Sequence, residues 1–136
     1  MSLARFIEAQ EGSYATALSE IEAGRKRSHW MWYIWPQLRG LGHSPMAQHY
    51  GIDGAAEARA YLAHPILGPR LVEISHAMLT YEGRAPEDIL GGIDALKLRS
   101  SATLFAAQPG ADPVFARLIE AFYDSPDAKT LALLDP

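Results

Sequence analysis

The stretch SHWMWYIWPQL, residues 28–38, contains all three tryptophans of this 136-residue sequence and no Asp, Glu, Lys or Arg. Periodicity does not distinguish a buried strand from a buried helix in so apolar a run. Ser28 is a good helix N-cap, both flanking segments have helical patterns, and Pro36 would stop a helix. We therefore predict a helix from Ser28 to near Pro36. Because it would be apolar on every side, its tryptophans are expected to be chiefly core residues: Trp30, Trp32 and Trp35.

Short helical patterns separated by glycine and proline fill the rest of the sequence. Gly24 is expected to end one helix, Ser44 with Pro45 to begin another, and Asp53 to cap a helix over residues 55–63. Further helices are predicted over residues 69–81, 94–107, 113–123 and 126–134. The sequence thus predicts an all-α fold, with residues 1–136 forming one compact bundle of about seven to nine short helices.

Composition narrows the classes of function. Hydrophobic residues make up 49% of the chain and charged residues 21%, which is typical of a globular domain. The absence of cysteine excludes a disulfide framework and a thiolate metal site. The net charge of −4 disfavours nucleic acid and anionic membranes as partners. We expect a cytoplasmic protein without a membrane span, metal or cofactor, because the sequence has no long apolar run, signal-peptide pattern or histidine pair at metal-site spacing.

Three consecutive basic residues, Arg25, Lys26 and Arg27, precede Ser28 and His29 at the start of the predicted apolar helix. A helix N-terminus offers unpaired backbone amides and a partial positive charge, so neighbouring cations would complete an anion site. The run therefore predicts a site for phosphate or carboxylate. The alternative is a solvated turn in which the histidine is structural.

A second polar segment is DALKLRSSATLF, residues 94–105. At helical spacing Lys97 and Ser101 share one face, with Ser100 alongside. Adjacent serines lower helix propensity, which indicates a role for their hydroxyls unless they bond back to carbonyls one turn earlier. If Lys97 and Arg99 faced the basic loop, cations and hydroxyls would converge on one pocket.

The sequence resembles, over nearly its whole length, the bacterial and fungal proteins known as domain of unknown function 1810. The resemblance rests on Gly-x-Lys-x-Ser-His-Trp-Met-Trp from Gly24, Pro-Gln-Leu-x-Gly-Leu-Gly from Pro36, and Lys-Leu-x-Ser-Ser from Lys97. Further matches are Tyr50-Gly51-Ile52, Tyr61-Leu62-x-His64-Pro65, and Thr103-Leu104-Phe105. Departures at Trp35 and Ala102, where the family has phenylalanine and methionine, are expected to be packing changes.

The resemblance implies a compact, mainly helical domain with no established activity, and it marks Gln37 as a further signature residue. Some similar proteins are labelled calpastatin, but that inhibitor is disordered and repetitive whereas this composition can fold.

The sequence as a whole predicts a small anionic, phosphate-bearing or nucleotide-like ligand between the loop at residues 25–29 and the helix at 97–101. If a reaction occurs there, His29 would be the general acid or base and Lys97 would stabilise developing negative charge. The remaining ligand-binding candidates are Arg25, Lys26, Arg27, Ser28, Trp30, Trp32, Gln37, Arg99, Ser100 and Ser101. The alternative is a non-catalytic protein-interaction module whose signature residues are structural, which predicts that Lys97 pairs with a carboxylate such as Asp94 or Glu87.

Overall fold

The computed structural model describes residues 2–134, which form ten helices and no strand. The prediction of an all-α fold is confirmed, with a helix count just above the expected range. The helices are α1 (Ala4–Gln10), α2 (Tyr14–Glu22), α3 (Met31–Ile34), α4 (Pro45–His49), α5 (Ala55–Ala63), α6 (Leu67–Leu79), α7 (Pro86–Leu90), α8 (Gly92–Ala106), α9 (Val114–Phe122) and α10 (Ala128–Leu134).

The apolar stretch at residues 28–38 forms only a single helical turn, α3, so the prediction of a helix from Ser28 to Pro36 is wrong in length. Ser28 does not cap it, because the hydroxyl donates to Glu20 instead. After Pro36 the chain is extended, and Leu38 pairs with Ile52 in a parallel bridge whose two backbone hydrogen bonds are each 2.8 Å long.

The burial of the tryptophans is close to the expectation. Trp30 and Trp35 are each 1% exposed, whereas Trp32 is only partly buried. Trp35 also donates from its indole nitrogen to the hydroxyl of Ser75 at 3.0 Å. The tryptophan at this position therefore does more than fill space, since it satisfies a hydroxyl that is itself fully buried.

Several predicted helix ends shift once the capping contacts are known. Ser44 caps α4 by accepting from the amide of Ala47 at 3.1 Å, as predicted. The predicted cap at Asp53 is wrong, because Gly54 takes the N-cap position of α5. Helix α6 begins at Leu67, two residues earlier than predicted, since a proline at residue 69 is tolerated in a first turn.

Helix α8 is the element that carries the second polar segment into the core. Its apolar face, with Leu98, Ala102 and Phe105, is buried, and α8 packs against α7, α9 and α10. The basic loop lies against the same region, because the amide of Lys26 donates to the carbonyl of Ile89 at 2.8 Å. The two segments singled out in the sequence are therefore neighbours in space.

Candidate functional site

The carboxylate of Glu20, near the end of α2, organises the basic loop. Its Oε1 accepts from the amides of Arg27 at 2.7 Å and Ser28 at 3.0 Å, and from the indole nitrogen of Trp30 at 3.0 Å. Its Oε2 accepts from the hydroxyl of Ser28 at 2.6 Å. Four donors from the loop thus converge on one carboxylate.

These hydrogen bonds set the charge state of the group. Partial burial by itself would raise the pKa of Glu20, but the Ser28 hydroxyl, the amides of Arg27 and Ser28 and the Trp30 indole outweigh it and lower the pKa to about 2. Two amides at the start of the predicted helix, those of Arg27 and Ser28, are therefore bonded to a carboxylate of the same chain. No helix begins at Ser28, so these two amides are not those of a free helix N-terminus.

A second carboxylate, Asp94 in the first turn of α8, brings the two segments together. Its Oδ2 lies 2.8 Å from Nζ of Lys26 and its Oδ1 lies 3.6 Å from Nζ of Lys97. Each ammonium also lies over an indole ring: that of Lys26 is 5.0 Å from the Trp30 centroid and that of Lys97 is 4.5 Å from the Trp32 centroid. Such cation–π contacts hold the lysines against the aromatic surface.

The exposure of the two lysines differs. The side chain of Lys26 is 7% exposed and also donates to the carbonyl of Ser28 at 2.6 Å, so its hydrogen-bonding capacity is largely used. The side chain of Lys97 is 21% exposed, and its only polar contact within residues 2–134 is the longer one to Asp94. Lys97 is therefore the cation that solvent, or a ligand, can reach. This arrangement also matches the carboxylate pairing that the interaction-module alternative predicts.

Three other predicted residues, Arg25, Arg27 and His29, have exposed side chains. Within the part of the chain that the structure describes, none of these side chains forms a hydrogen bond or an ion pair. Gln37 lies on another side of Trp32: both line a depression of about 10 Å³, which is large enough for one water molecule at most. Trp32 therefore has Lys97 over its ring and Gln37 in the depression that it borders.

The remaining predicted residues on α8 point in several directions. Arg99 donates to Ser125 and Pro126 at 2.8–3.2 Å and so ties α8 to the segment before α10. The condition that Lys97 and Arg99 both face the basic loop is met by Lys97 alone, because residues two apart on a helix do not share a face. Ser100 bonds back to the carbonyl of Leu96 at 3.2 Å. The hydroxyl of Ser101 is buried and has no partner among residues 2–134.

The sequence did not single out Glu20, the residue whose carboxylate accepts four hydrogen bonds from the basic loop. The available signal was an acidic residue in the last turn of a helix that leads directly into a basic turn. That signal is weak, because acidic residues on exposed helix faces are common. Gly24 has a φ of +77°, and the turn at this residue directs the loop back over the end of α2.

We predict that Glu20→Gln destabilises the folded protein by about 2 kcal/mol at pH 7, because a neutral amide cannot accept all four hydrogen bonds. Since the folded-state pKa of about 2 lies below the ordinary 4.5, the carboxylate stabilises the fold fully above pH 4.5. That stabilisation is lost as the pH falls toward 2. Urea unfolding at pH 7 and pH 3 would measure both effects.

The control for this prediction is Glu22→Gln, which changes the same charge at an exposed position of the same helix. It should stay within about 0.5 kcal/mol of the parent protein. A difference between Glu20→Gln and the parent that was equally large at pH 7 and at pH 3 would contradict the assigned role of the carboxylate.

Membrane-spanning helices and metal sites were the two remaining possibilities within residues 2–134. No helix within residues 2–134 is long and apolar enough to cross a bilayer. In the same range, no three His, Asp or Glu side chains come together as a candidate metal site.

The fold and the site define a class of small all-helical protein in which a tryptophan-rich turn and a basic loop are held by two internal carboxylates. The chain belongs to the family described as "Protein of unknown function (DUF1810)", which matches residues 1–134. It is similar to the conserved hypothetical protein Rv1873 from Mycobacterium tuberculosis, known from a crystal structure. The two are 48% identical with a TM-score of 0.95, over 98% of this chain and 96% of that one. No curated protein matches the sequence.

Proposed function

We propose that this protein binds a small phosphate-bearing anion on the surface formed by Lys97, Trp32 and the basic loop, and that a nucleotide is the form of ligand best suited to it. The observation that carries the proposal is the position of the Lys97 ammonium, 4.5 Å from the centroid of the partly exposed Trp32 ring. A cation beside an accessible indole suits a ligand that combines a phosphate with a flat ring.

The charges around this surface support an anion. Lys26 and Lys97 share the single carboxylate of Asp94, so the three groups together keep a positive charge. The exposed side chains of Arg25 and Arg27 add to it. The Glu20 carboxylate bonds to amides, a hydroxyl and the Trp30 indole, so neither arginine side chain pairs with it or with any other carboxylate among residues 2–134. A small anion would gain from this local field although the whole chain is acidic.

A reaction at this surface would use His29 as its general acid or base, because this exposed imidazole can both accept and donate a proton. Lys97 would stabilise the developing charge. His29→Ala would then abolish turnover of a bound ligand while leaving its binding within a few-fold of the parent protein. Equal turnover by the parent and the variant would exclude this role.

The test of binding is a thermal-shift panel of inorganic phosphate, nucleotides, ADP-ribose-like compounds and carboxylates, run on the parent protein, Lys97→Ala and His29→Ala. A ligand at about 100 times its Kd adds roughly 2.7 kcal/mol of stability, which is a shift of several degrees for a domain of this size. Lys129→Ala, which removes the same charge at an exposed position on α10, is the matched control. We expect a ligand to raise the melting temperature of the parent protein and of Lys129→Ala, and not that of Lys97→Ala.

Two outcomes would overturn the proposal. A shift that survives in Lys97→Ala would place the ligand elsewhere. No shift with any compound, together with strong destabilisation by Lys97→Ala in the absence of ligand, would mean that the cluster is structural.

A non-catalytic protein-interaction module is the second candidate, and one observation favours it. Ile93 and Leu96, at neighbouring positions on the outer face of α8, are 73% and 64% exposed. Apolar side chains of this exposure are typical of a contact surface when they lie together. If Ile93 and Leu96 bind a partner, Leu96→Lys should abolish that binding without changing the response to phosphate compounds.

A further inference from the structure

A cleft of about 480 Å³, separate from the surface around Trp32, lies between the turn that joins α5 to α6 and the turn that joins α8 to α9. Its volume is within the range of small-molecule sites. Its walls are mostly apolar: Leu62, Val72 and the fully buried Phe115 contribute side chains, together with Pro69 and Pro109.

One buried polar group faces this apolar space. Gln108 is 5% exposed, and its Nε2 donates to the carbonyl of Leu104 at 2.9 Å. No donor among residues 2–134 reaches its Oε1, and this oxygen is not itself fully buried, so it is accessible where Gln108 lines the cleft. A carboxamide fixed through its nitrogen presents its oxygen as an acceptor, and a ligand that donates to this oxygen would replace the water that otherwise hydrates it.

The rim of the cleft is polar. Arg59 projects from the α5 wall, and Asp112 lies on the opposite wall, where its Oδ1 accepts from the amide of Val114 at 2.9 Å. Both residues are exposed. A ligand would thus lie with its apolar part inside and any polar substituent at the mouth.

We propose that this cleft binds a small aromatic molecule whose ring carries one N–H donor, with that donor directed at Oε1 of Gln108. The apolar walls and the volume suit a flat bicyclic ring, and a single fixed acceptor selects a ring with a donor over an isosteric ring without one. This site goes beyond the anion binding proposed above, because it shares no residue with the surface around Trp32.

The experiment is a titration of the isotopically labelled full chain with indole, followed by amide NMR spectra, with indene as the isostere that lacks the N–H. With indole we expect saturable chemical-shift changes at cleft residues such as Val72, Gly110 and Phe115. Indene should bind roughly five-fold more weakly, because it lacks one neutral hydrogen bond. Gln108→Leu should remove this difference between the two probes.

Ala63→Trp provides a second variant that tests the site itself. Ala63 is exposed at the end of α5 and lines the cleft, so a larger side chain can fill the space without disturbing the core. Indole shifts should disappear in this variant. Equal affinity for indole and indene in the parent protein, or shifts that persist in Ala63→Trp, would overturn the proposal, as would the absence of saturable cleft shifts at millimolar indole.

Discussion

Glu57→Ala is expected to destabilise the folded protein by about 3–5 kcal/mol, because it leaves the guanidinium of Arg5 buried without a counter-charge. The two side chains are 11% and 7% exposed and form a two-point ion pair, with nitrogen–oxygen distances of 2.8 and 3.2 Å. Removing one partner of a buried pair costs far more than the net contribution of the pair, since the remaining charge is no longer compensated.

The pair also connects distant parts of the chain. Arg5 donates to the carbonyls of Ser2, His49 and Gly51 at 2.6–2.9 Å, so α1 is held against the segment between α4 and α5. Glu57 in turn accepts from the amide of Asp53 at 2.9 Å. Replacing the pair by two apolar residues would therefore still leave backbone carbonyls without donors.

The measurement is urea unfolding of Glu57→Ala, Arg5→Met and the double variant, with Glu120→Ala as an exposed helical control that should stay within about 0.5 kcal/mol of the parent. The double variant should lose less stability than the sum of the two single losses, because neither charge is then left alone. Strict additivity of the two losses, or a loss below about 1 kcal/mol for Glu57→Ala, would contradict the assigned role.

The same pair predicts acid sensitivity. Burial alone would raise the pKa of Glu57, but the hydrogen bonds and charge of Arg5 and the amide of Asp53 outweigh it, so the folded-state pKa is lowered. The stabilisation is therefore present above the unfolded-state pKa and is lost as the pH falls below it. Glu57→Ala should flatten this part of the dependence of stability on pH.

Neither member of this pair could be singled out from the sequence. Arg5 occupies an ordinary helical position among apolar residues, and Glu57 lies 52 positions later on another helix. Local pattern indicates which face of each helix is apolar, but it does not indicate which buried cation will meet which carboxylate. That information comes only from the packing of α1 against α5, which depends on contacts distant in sequence.

The secondary structure was more predictable than the site because its signals are local. Ser44 with Pro45, the apolar spacing within α6 and the glycines that end helices are each readable over a few residues. The apolar run after Ser28 failed as a helix prediction for the opposite reason. Its conformation is decided by Glu20, which removes the cap, and by Ile52, which pairs with the extended segment.

The sequence indicated which basic and aromatic residues could lie together, but it did not indicate how they are connected. Lys26 and Lys97 share the carboxylate of Asp94, and they lie over different indole rings, Lys26 over Trp30 and Lys97 over Trp32. The sequence could not show that Glu20 and Asp94 would use most of the donors first. Carboxylates of the chain and a bound anion compete for the same hydrogen-bond donors and cations. Which of these donors remain available depends on the three-dimensional arrangement of the side chains.

Gly68→Ala is expected to destabilise the protein by about 3 kcal/mol, because the new methyl group has no space. A Cβ at Gly68 would lie 2.2 Å from the carbonyl oxygen of Leu62 and 3.0 Å from its carbonyl carbon. These are backbone atoms of α5, so relief requires a shift of the whole helix rather than a side-chain rotation. Gly68 thus permits α6 to begin directly beside the end of α5.

Gly92→Ala is the matched control, since Gly92 begins α8 and a Cβ there would meet no atom within 4 Å. Alanine is favoured over glycine in a helix by up to about 1 kcal/mol, so this variant should be as stable as the parent or slightly more stable. The same helix preference for alanine would favour Gly68→Ala. If Gly68→Ala is nevertheless less stable than Gly92→Ala, the clash with the Leu62 carbonyl outweighs that preference. Equal thermal stability of the two would mean that α5 can move away from α6 at little cost, and that the close approach at Gly68 does not hold the two helices in place.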